Sequence, residues 1–147
     1  MESTKSEWAQ KTITLKSKSR GCHLITDEIT SQLKELSNFS IGILHLFLQH
    51  TSASICLNEN YDPDVQTDME NSLNRIVPED KKLYKHTIEG KDDMPAHVKS
   101  ALVGCSLSIP ITDGRLNIGT WQGIWLLEHR DGSHSRKIVA TINGKPK

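Results

Sequence analysis

The sequence predicts an α+β domain: a compact two-layer unit in which about three helices cover one face of a largely antiparallel or mixed sheet. Three observations carry this reading. Apolar residues recur at helical spacing in the first half and middle of the chain, they alternate with period two through the last third, and 147 residues suit one hydrophobic core. A single domain over residues 1–147 is therefore expected, with an ordered core from about residue 8 to 144.

Taken in order, residues 12–15 are mostly β-branched and predict a first strand, followed by a polar, loop-like stretch over residues 16–21. Ile25, Ile29, Leu33 and Leu36 then give one amphipathic helix, with Asp27 and Glu28 at its positive dipole end. Residues 41–49 form a nearly continuous apolar run, as expected of a strand covered on both faces, and residues 54–57 predict a shorter partner strand. Val65, Met69, Leu73 and Ile76 mark a second helix between Pro63 and Pro78. A third helix opens at Asp93 or Met94 and closes at Gly104. Beyond it Leu107, Ile109 and Ile111 alternate up to an Asp113-Gly114 hairpin signal, and Leu116 and Ile118 continue the pattern. Residues 124–128 and 137–142 supply two last strands, separated by an Asp131-Gly132 turn. Helices on one side leave the other sheet face in need of a cover, which self-association would supply.

Bulk composition narrows the function. Lysine plus arginine and aspartate plus glutamate are 18 each, so no net field favours nucleic acid, and no nucleic-acid partner is expected. The apolar run over residues 43–48 is too short to cross a bilayer, and residues 1–10 are polar with no export-type core after them. No membrane partner and a cytoplasmic location follow as expectations. Cys22, Cys56 and Cys105 lack CxxC spacing and read as reduced, mostly buried thiols.

Seven histidines are more than packing requires. His23, His129 and His134 sit in or beside polar turns and read as solvated, and His45 reads as a satisfied core or interface residue. His50 closes an apolar strand and precedes Thr51 and Ser52, which places an imidazole at a sheet edge among hydroxyls, in a catalytic or a plain capping role. The stretch from His86 to His97 is the densest titratable segment, with Glu89, Asp92 and Asp93 on a loop that leads into a helix. Imidazole nitrogen and carboxylate oxygen are the ligands of zinc and similar ions, and His50, His86 and His97 could form a half-shell. Asp93 and His97 stand i to i+4 on the third helix, where the carboxylate can orient the imidazole or simply cap the helix. The same helix start suits a phosphate, with Arg75, Lys91 and Lys99 as nearby cations or plain surface charges. Gly119-Thr120-Trp121-Gln122-Gly123 allows close backbone approach to a ligand beside an indole wall, or is a tight connection around a core tryptophan.

His50-Thr51-Ser52-Ala53, then Glu89-Gly90 with Asp92-Asp93-Met94-Pro95-Ala96-His97, then Gly119-Thr120-Trp121-Gln122-Gly123 and Glu128, in this order, resemble the YjbQ family, described as secondary thiamine-phosphate synthases. The resemblance runs from about Trp8 to Gly144. It implies a compact α+β fold assembling as a homotrimer, and a weak thiamine-phosphate synthase activity that joins a pyrimidine diphosphate to a thiazole phosphate with loss of pyrophosphate. A divalent metal, zinc or magnesium, would be held by His50, His86 and His97. His50, Ser52, Glu89, Asp92, Asp93 and His97 would form the catalytic group, and Thr51, Asn58, Gly119, Thr120, Trp121, Gln122 and Glu128 would contact the phosphorylated substrate. A metal-dependent hydrolase of a phosphorylated or acylated molecule, or a non-catalytic trimeric ligand-binding module, are the competing readings.

Overall fold

The computed structural model describes residues 5–147, so the first four residues of the polar N-terminal stretch lie outside the described part. In chain order the elements are β1 Glu7–Thr14, β2 Lys18–Leu24, α1 Thr26–Thr30, β3 Phe39–Leu48, β4 Ala53–Glu59, α2 Pro63–Ile76, α3 Asp93–Val103, β5 Ser106–Thr112, β6 Arg115–Leu116, β7 Gln122–His134 and β8 Lys137–Pro146. Short 3-10 turns occupy Lys34–Asn38 and Lys81–Leu83. The class is α+β, and every strand pairing among the described residues is antiparallel.

The strands divide into two sheets rather than one. A five-stranded sheet has the order β1-β8-β3-β5-β6, and a three-stranded sheet has the order β2-β7-β4. Leu44, Leu46, Ile109 and Ile138 from the larger sheet share one core cluster with Ile55, Ile124 and Leu126 from the smaller, joined by Ile29 of α1 and Leu33 after it. The opposite face of the smaller sheet carries Trp125 and Leu127, which pack on Leu73 of α2 and Val103 of α3. Strand β7 thus lies between two apolar layers, and Ile124, Trp125, Leu126 and Leu127 are all essentially inaccessible.

Helix signals translate directly where capping chemistry is present. Helix α2 starts with Pro63 at its first position and Asp62 accepting the Asp64 amide at 2.9 Å. Helix α3 ends at Gly104, whose φ of 108° is open to glycine and strained for other residues. The first helix departs from expectation. Ile25, Ile29, Leu33 and Leu36 are all buried as their spacing predicts, yet α1 stops at Thr30 and a separate 3-10 turn follows. Side chains compete for backbone bonds here: Ser31 Oγ and Gln32 Nε2 both donate to the Glu28 carbonyl.

Three strand expectations are corrected. The polar stretch at residues 16–21 contributes to β2, an edge strand whose Arg20 and Lys18 are held by ion pairs instead of apolar packing. Asp131 and Gly132 lie inside β7 and form no turn between strands. Strand β3 is covered on one face only: Leu44, Leu46 and Leu48 are buried, whereas Ile41, Ile43 and Phe47 are 61%, 54% and 44% exposed. The three cysteines are free and half-buried; burial pushes the Cys22 thiol up to about 12 and the Cys56 thiol up to about 11.

Candidate metal centre

The N-terminus of α3 and the end of β7 meet at one polar cluster. Asp92 and Asp93 open the helix and are 6% and 4% exposed, so both carboxylates need partners. Arg130 supplies them with a forked guanidinium: Nε donates to Asp92 Oδ2 at 2.7 Å, one terminal nitrogen to Asp93 Oδ1 at 2.7 Å, and the other to the Glu89 carbonyl at 3.0 Å. The Asp131 amide adds a bond to Asp92 Oδ2 at 2.9 Å. Burial alone would raise the Asp92 pKa, but the Arg130 and Asp131 hydrogen bonds outweigh it and hold the carboxyl below its ordinary range. Asp93 behaves alike: burial opposes ionisation, and His86, His97 and Arg130 together bring its pKa down. These carboxylates already occupy the helix start that the sequence offered to a phosphate.

The second oxygen of Asp93 gathers two imidazoles. His86 Nε2 lies 2.7 Å and His97 Nε2 3.0 Å from Asp93 Oδ2, with ring centroids 5.6 Å apart. One turn of helix separates Asp93 from His97, while His86 arrives from the loop before α3. His97 Nδ1 lies 2.7 Å from the Thr51 carbonyl, an acceptor only, so that nitrogen carries the proton. In the neutral ring the Nε2 lone pair then faces the Asp93 carboxylate, an arrangement relieved by a second ring proton or by a cation between the two. The His86, Asp93 and His97 ligand atoms lie within 4.8 Å of one another. Two imidazoles and a carboxylate, with one imidazole oriented by a carbonyl and the carboxylate by an arginine, match the donor set and outer partners of a catalytic metal site.

His50 contributes no ligand atom to this cluster. Its Nε2 accepts the Lys137 amide at 2.8 Å, which leaves Nδ1–H as the donor of the neutral ring. Burial, followed by the charge of Arg136, pushes its pKa below the ordinary 6.5 and keeps it neutral. His50 and His97 instead face a common open cleft of 610 Å³, lined also by Thr51, Ser100, Ala101, Gly104 and Cys105. No lysine or arginine lines this cleft among the described residues.

The remaining sequence candidates are distributed more widely. Ser52 takes part through its carbonyl, which accepts from the His129 amide and from Arg136 at 3.3 Å each. Glu89 is exposed and reaches the cluster through its carbonyl. Glu128 is fully buried, with both oxygens bound by Arg136 at 2.6 Å. Asn58 caps its own neighbour, the Glu59 amide. Gly119, Thr120 and Gln122 line a separate 440 Å³ pocket. Trp121 is 61% exposed and meets Tyr61 edge-on at 5.6 Å, so it is no core tryptophan.

Sequence reasoning missed Arg130 and Arg136, the two cations that organise this end of the molecule. The signal available was a pair of arginines flanking a turn-like stretch close to Glu128. Two further readings are overturned. His129 is 1% exposed rather than solvated, its Nε2 meets Ser54 Oγ at 2.8 Å, and burial followed by the Lys99 charge pushes its pKa down to about 3. Lys99 is 1% exposed rather than a surface cation, and its ammonium donates to Asn74 at 2.6 Å.

Comparison with known proteins agrees with this architecture along nearly the whole chain. The family model described as UPF0047 protein YjbQ-like matches residues 11–145. The UPF0047 protein YjbQ of Escherichia coli is 56% identical over 138 residues, covering 94% of this chain and 99% of that protein. A UPF0047 protein of Synechocystis is 40% identical over 92% of each chain. Among solved structures, a YbjQ-like protein of unknown function from Sulfolobus solfataricus aligns with a TM-score of 0.83 at 26% identity, over 96% of this chain and 100% of that one. A YjbQ/UPF0047 protein from Clostridium acetobutylicum aligns with a TM-score of 0.72 at 35% identity, over 89% and 97%. From the matched span and these identities, the chain belongs to the YjbQ-like UPF0047 family.

Proposed function

We propose that this protein is a metal-assisted enzyme acting on a phosphorylated small molecule in the cleft beside His97, with thiamine-phosphate synthase-type transfer as its first candidate reaction. The observation that carries this reading is the confrontation of His97 Nε2 and His86 Nε2 with one buried Asp93 oxygen. A divalent ion such as zinc or magnesium, held by His86, Asp93 and His97, would supply charge neutralisation for a phosphoryl oxygen.

The chain's own groups have separable tasks. Arg130 fixes both carboxylates, so Asp93 turns one oxygen to the imidazoles. The Thr51 carbonyl fixes the His97 ring. His50 lines the cleft, and the Nδ1–H left free by its Nε2 bond to the Lys137 amide would be its donor to a substrate oxygen. In the transfer, the thiazole nitrogen attacks the pyrimidine's methylene carbon and the carbon–oxygen bond to the diphosphate breaks, releasing pyrophosphate. Confinement in the cleft would hold these two atoms in line.

The cleft lining favours a second reading. Among the described residues no lysine or arginine lines it to neutralise a diphosphate, and Arg130 and Arg136 are both committed to buried carboxylates. Hydrolysis of a singly phosphorylated or acylated substrate demands less positive charge and suits the same donor set. Assays of purified protein with added zinc or magnesium would separate the two. The first reading expects thiamine phosphate from the two precursors, with turnover reduced at least about 100-fold in His97→Ala. Phosphate release from simple monoesters without that product would replace it with the second, and no turnover of either class would remove both.

The exposed Ile41, Ile43 and Phe47 on β3, with Trp8 on β1, form an uncovered apolar sheet face that supports a homotrimer. Three free cysteines fit a reducing cytoplasm.

A further inference from the structure

A second cavity lies apart from the histidine cluster and shares no lining residue with its cleft. It measures 640 Å³, within the range of small-ligand sites, and runs between α1, the 3-10 turn after it, and the β5–β6 hairpin. Leu33 and Leu36 form an apolar floor, and the half-buried Leu116 and Ile118 form the facing wall.

Both walls are tied before any ligand arrives. Gly114, at a φ of 75°, brings the hairpin turn so close to Ser37 that a Cβ would stand 3.0 Å from its Cα. The Asp113 amide donates to the Ser40 carbonyl at 2.8 Å, and the Lys147 amide to the Asn38 carbonyl at 2.8 Å. Such a groove spends little ordering entropy on binding.

Its charge is one-sided. Lys34 and Arg115 line the groove, and Lys147 Nζ sits over the same end, 3.0 Å from the position of a Gly114 Cβ. Among the described residues none of these three has a carboxylate within ion-pair distance, although Asp113 is adjacent in sequence to this end. In a chain of zero net charge, three unpaired cations around one apolar hollow are a local excess.

We propose that this groove binds a small amphipathic anion, with an alkyl or aryl body on Leu33, Leu36, Leu116 and Ile118 and a carboxylate or phosphate head at Lys34 and Arg115. The apolar walls supply affinity through burial, and the cations supply preference for the charged head.

The test is a titration of the isotope-labelled protein followed by amide NMR, using sodium octanoate, octyl phosphate and, as an uncharged control, octanol. Expected are saturable shifts at Leu33, Lys34, Arg115 and Leu116, with octanol at least about tenfold weaker than the anions. The paired Lys34→Ala and Arg115→Ala substitutions, both at exposed positions, should weaken the anions about tenfold and leave octanol unchanged. The tighter of octanoate and octyl phosphate identifies the head group. Equal binding of octanol and octanoate would reduce the site to a plain apolar patch and overturn the proposal. So would the absence of groove shifts, or a groove that opens only when Leu116→Glu dissociates an oligomer, which would assign it to a second copy.

Discussion

His97 shows how much one hydrogen bond can determine. Because Nδ1 meets a carbonyl, Nε2 is the atom left for chemistry, and it points at a carboxylate already shared with His86. The i to i+4 relation of Asp93 and His97 was legible in the sequence, as was the density of titratable groups from His86 onward. Arg130 was not, because its contact with Asp93 spans 37 residues and no local pattern announces it. His129 was misread for a related reason: an imidazole beside a turn-like stretch reads as solvated until the strand is known to continue through it.

Buried groups at this scale make stability depend on pH. The Asp92 and Asp93 pKa values lie below their ordinary range, so their ion pairs stabilise the fold above about pH 4, and that contribution is lost as pH falls through the folded-state values. His129 acts over a higher window. With its folded pKa near 3 and an ordinary value of about 6.5, the unfolded chain takes up a proton that the fold refuses, so stability declines as pH drops from about 6.5 toward 3. Urea midpoints should therefore fall steadily below about pH 6.5 in the wild type, and His129→Gln should flatten the upper part of that decline. A slope unchanged by this substitution would show that His129 is protonated within the fold.

Among the elements, the passage from β7 in the smaller sheet to β8 in the larger carries a fully buried ion pair. Glu128 and Arg136 are 0% and 5% exposed and hold each other across eight residues. Removing one partner leaves a buried charge, so Arg136→Met should cost about 3–5 kcal/mol in urea unfolding. The double variant Glu128→Leu with Arg136→Met should recover most of this loss, and a double variant no better than the single would point to packing in place of charge. A close backbone approach lies elsewhere, between β3 and β8, at Gly42 and Gly144. A Cβ on Gly42 would stand 2.6 Å from the Asn143 carbonyl oxygen, so Gly42→Ala should destabilise by about 1–3 kcal/mol.

Element identity followed sequence pattern where burial is asymmetric and capping chemistry is strong, as in α2 and α3. It failed for β2, since Lys18, Ser19 and Arg20 show no apolar alternation, a register shift between Ser19 and Gly21 breaks the period, and Lys18 and Arg20 are held by Glu28 and Glu70. It was incomplete for β3, whose continuous apolar run describes one face in the core and one uncovered.

For the whole molecule, the class was legible and the division into two sheets was not. Periodicity shows that a strand exists, whereas sheet membership depends on pairings such as β1 with β8, separated by most of the chain. The uncovered apolar face of the larger sheet is the surface on which the proposed self-association rests. Sedimentation of the wild type should give a trimer, and Ile43→Asp should release monomers with helix and strand content intact. A wild-type monomer would leave that apolar face unexplained.

The account rests on His86, Asp93 and His97 holding one divalent ion, and elemental analysis of protein purified without a metal-affinity tag tests this most directly. About one zinc or comparable ion per chain is expected in the wild type, nearly none in His86→Ala, Asp93→Asn or His97→Ala, and an unchanged amount in His50→Ala. Metal content that survives loss of His97, or disappears with His50 alone, would contradict it.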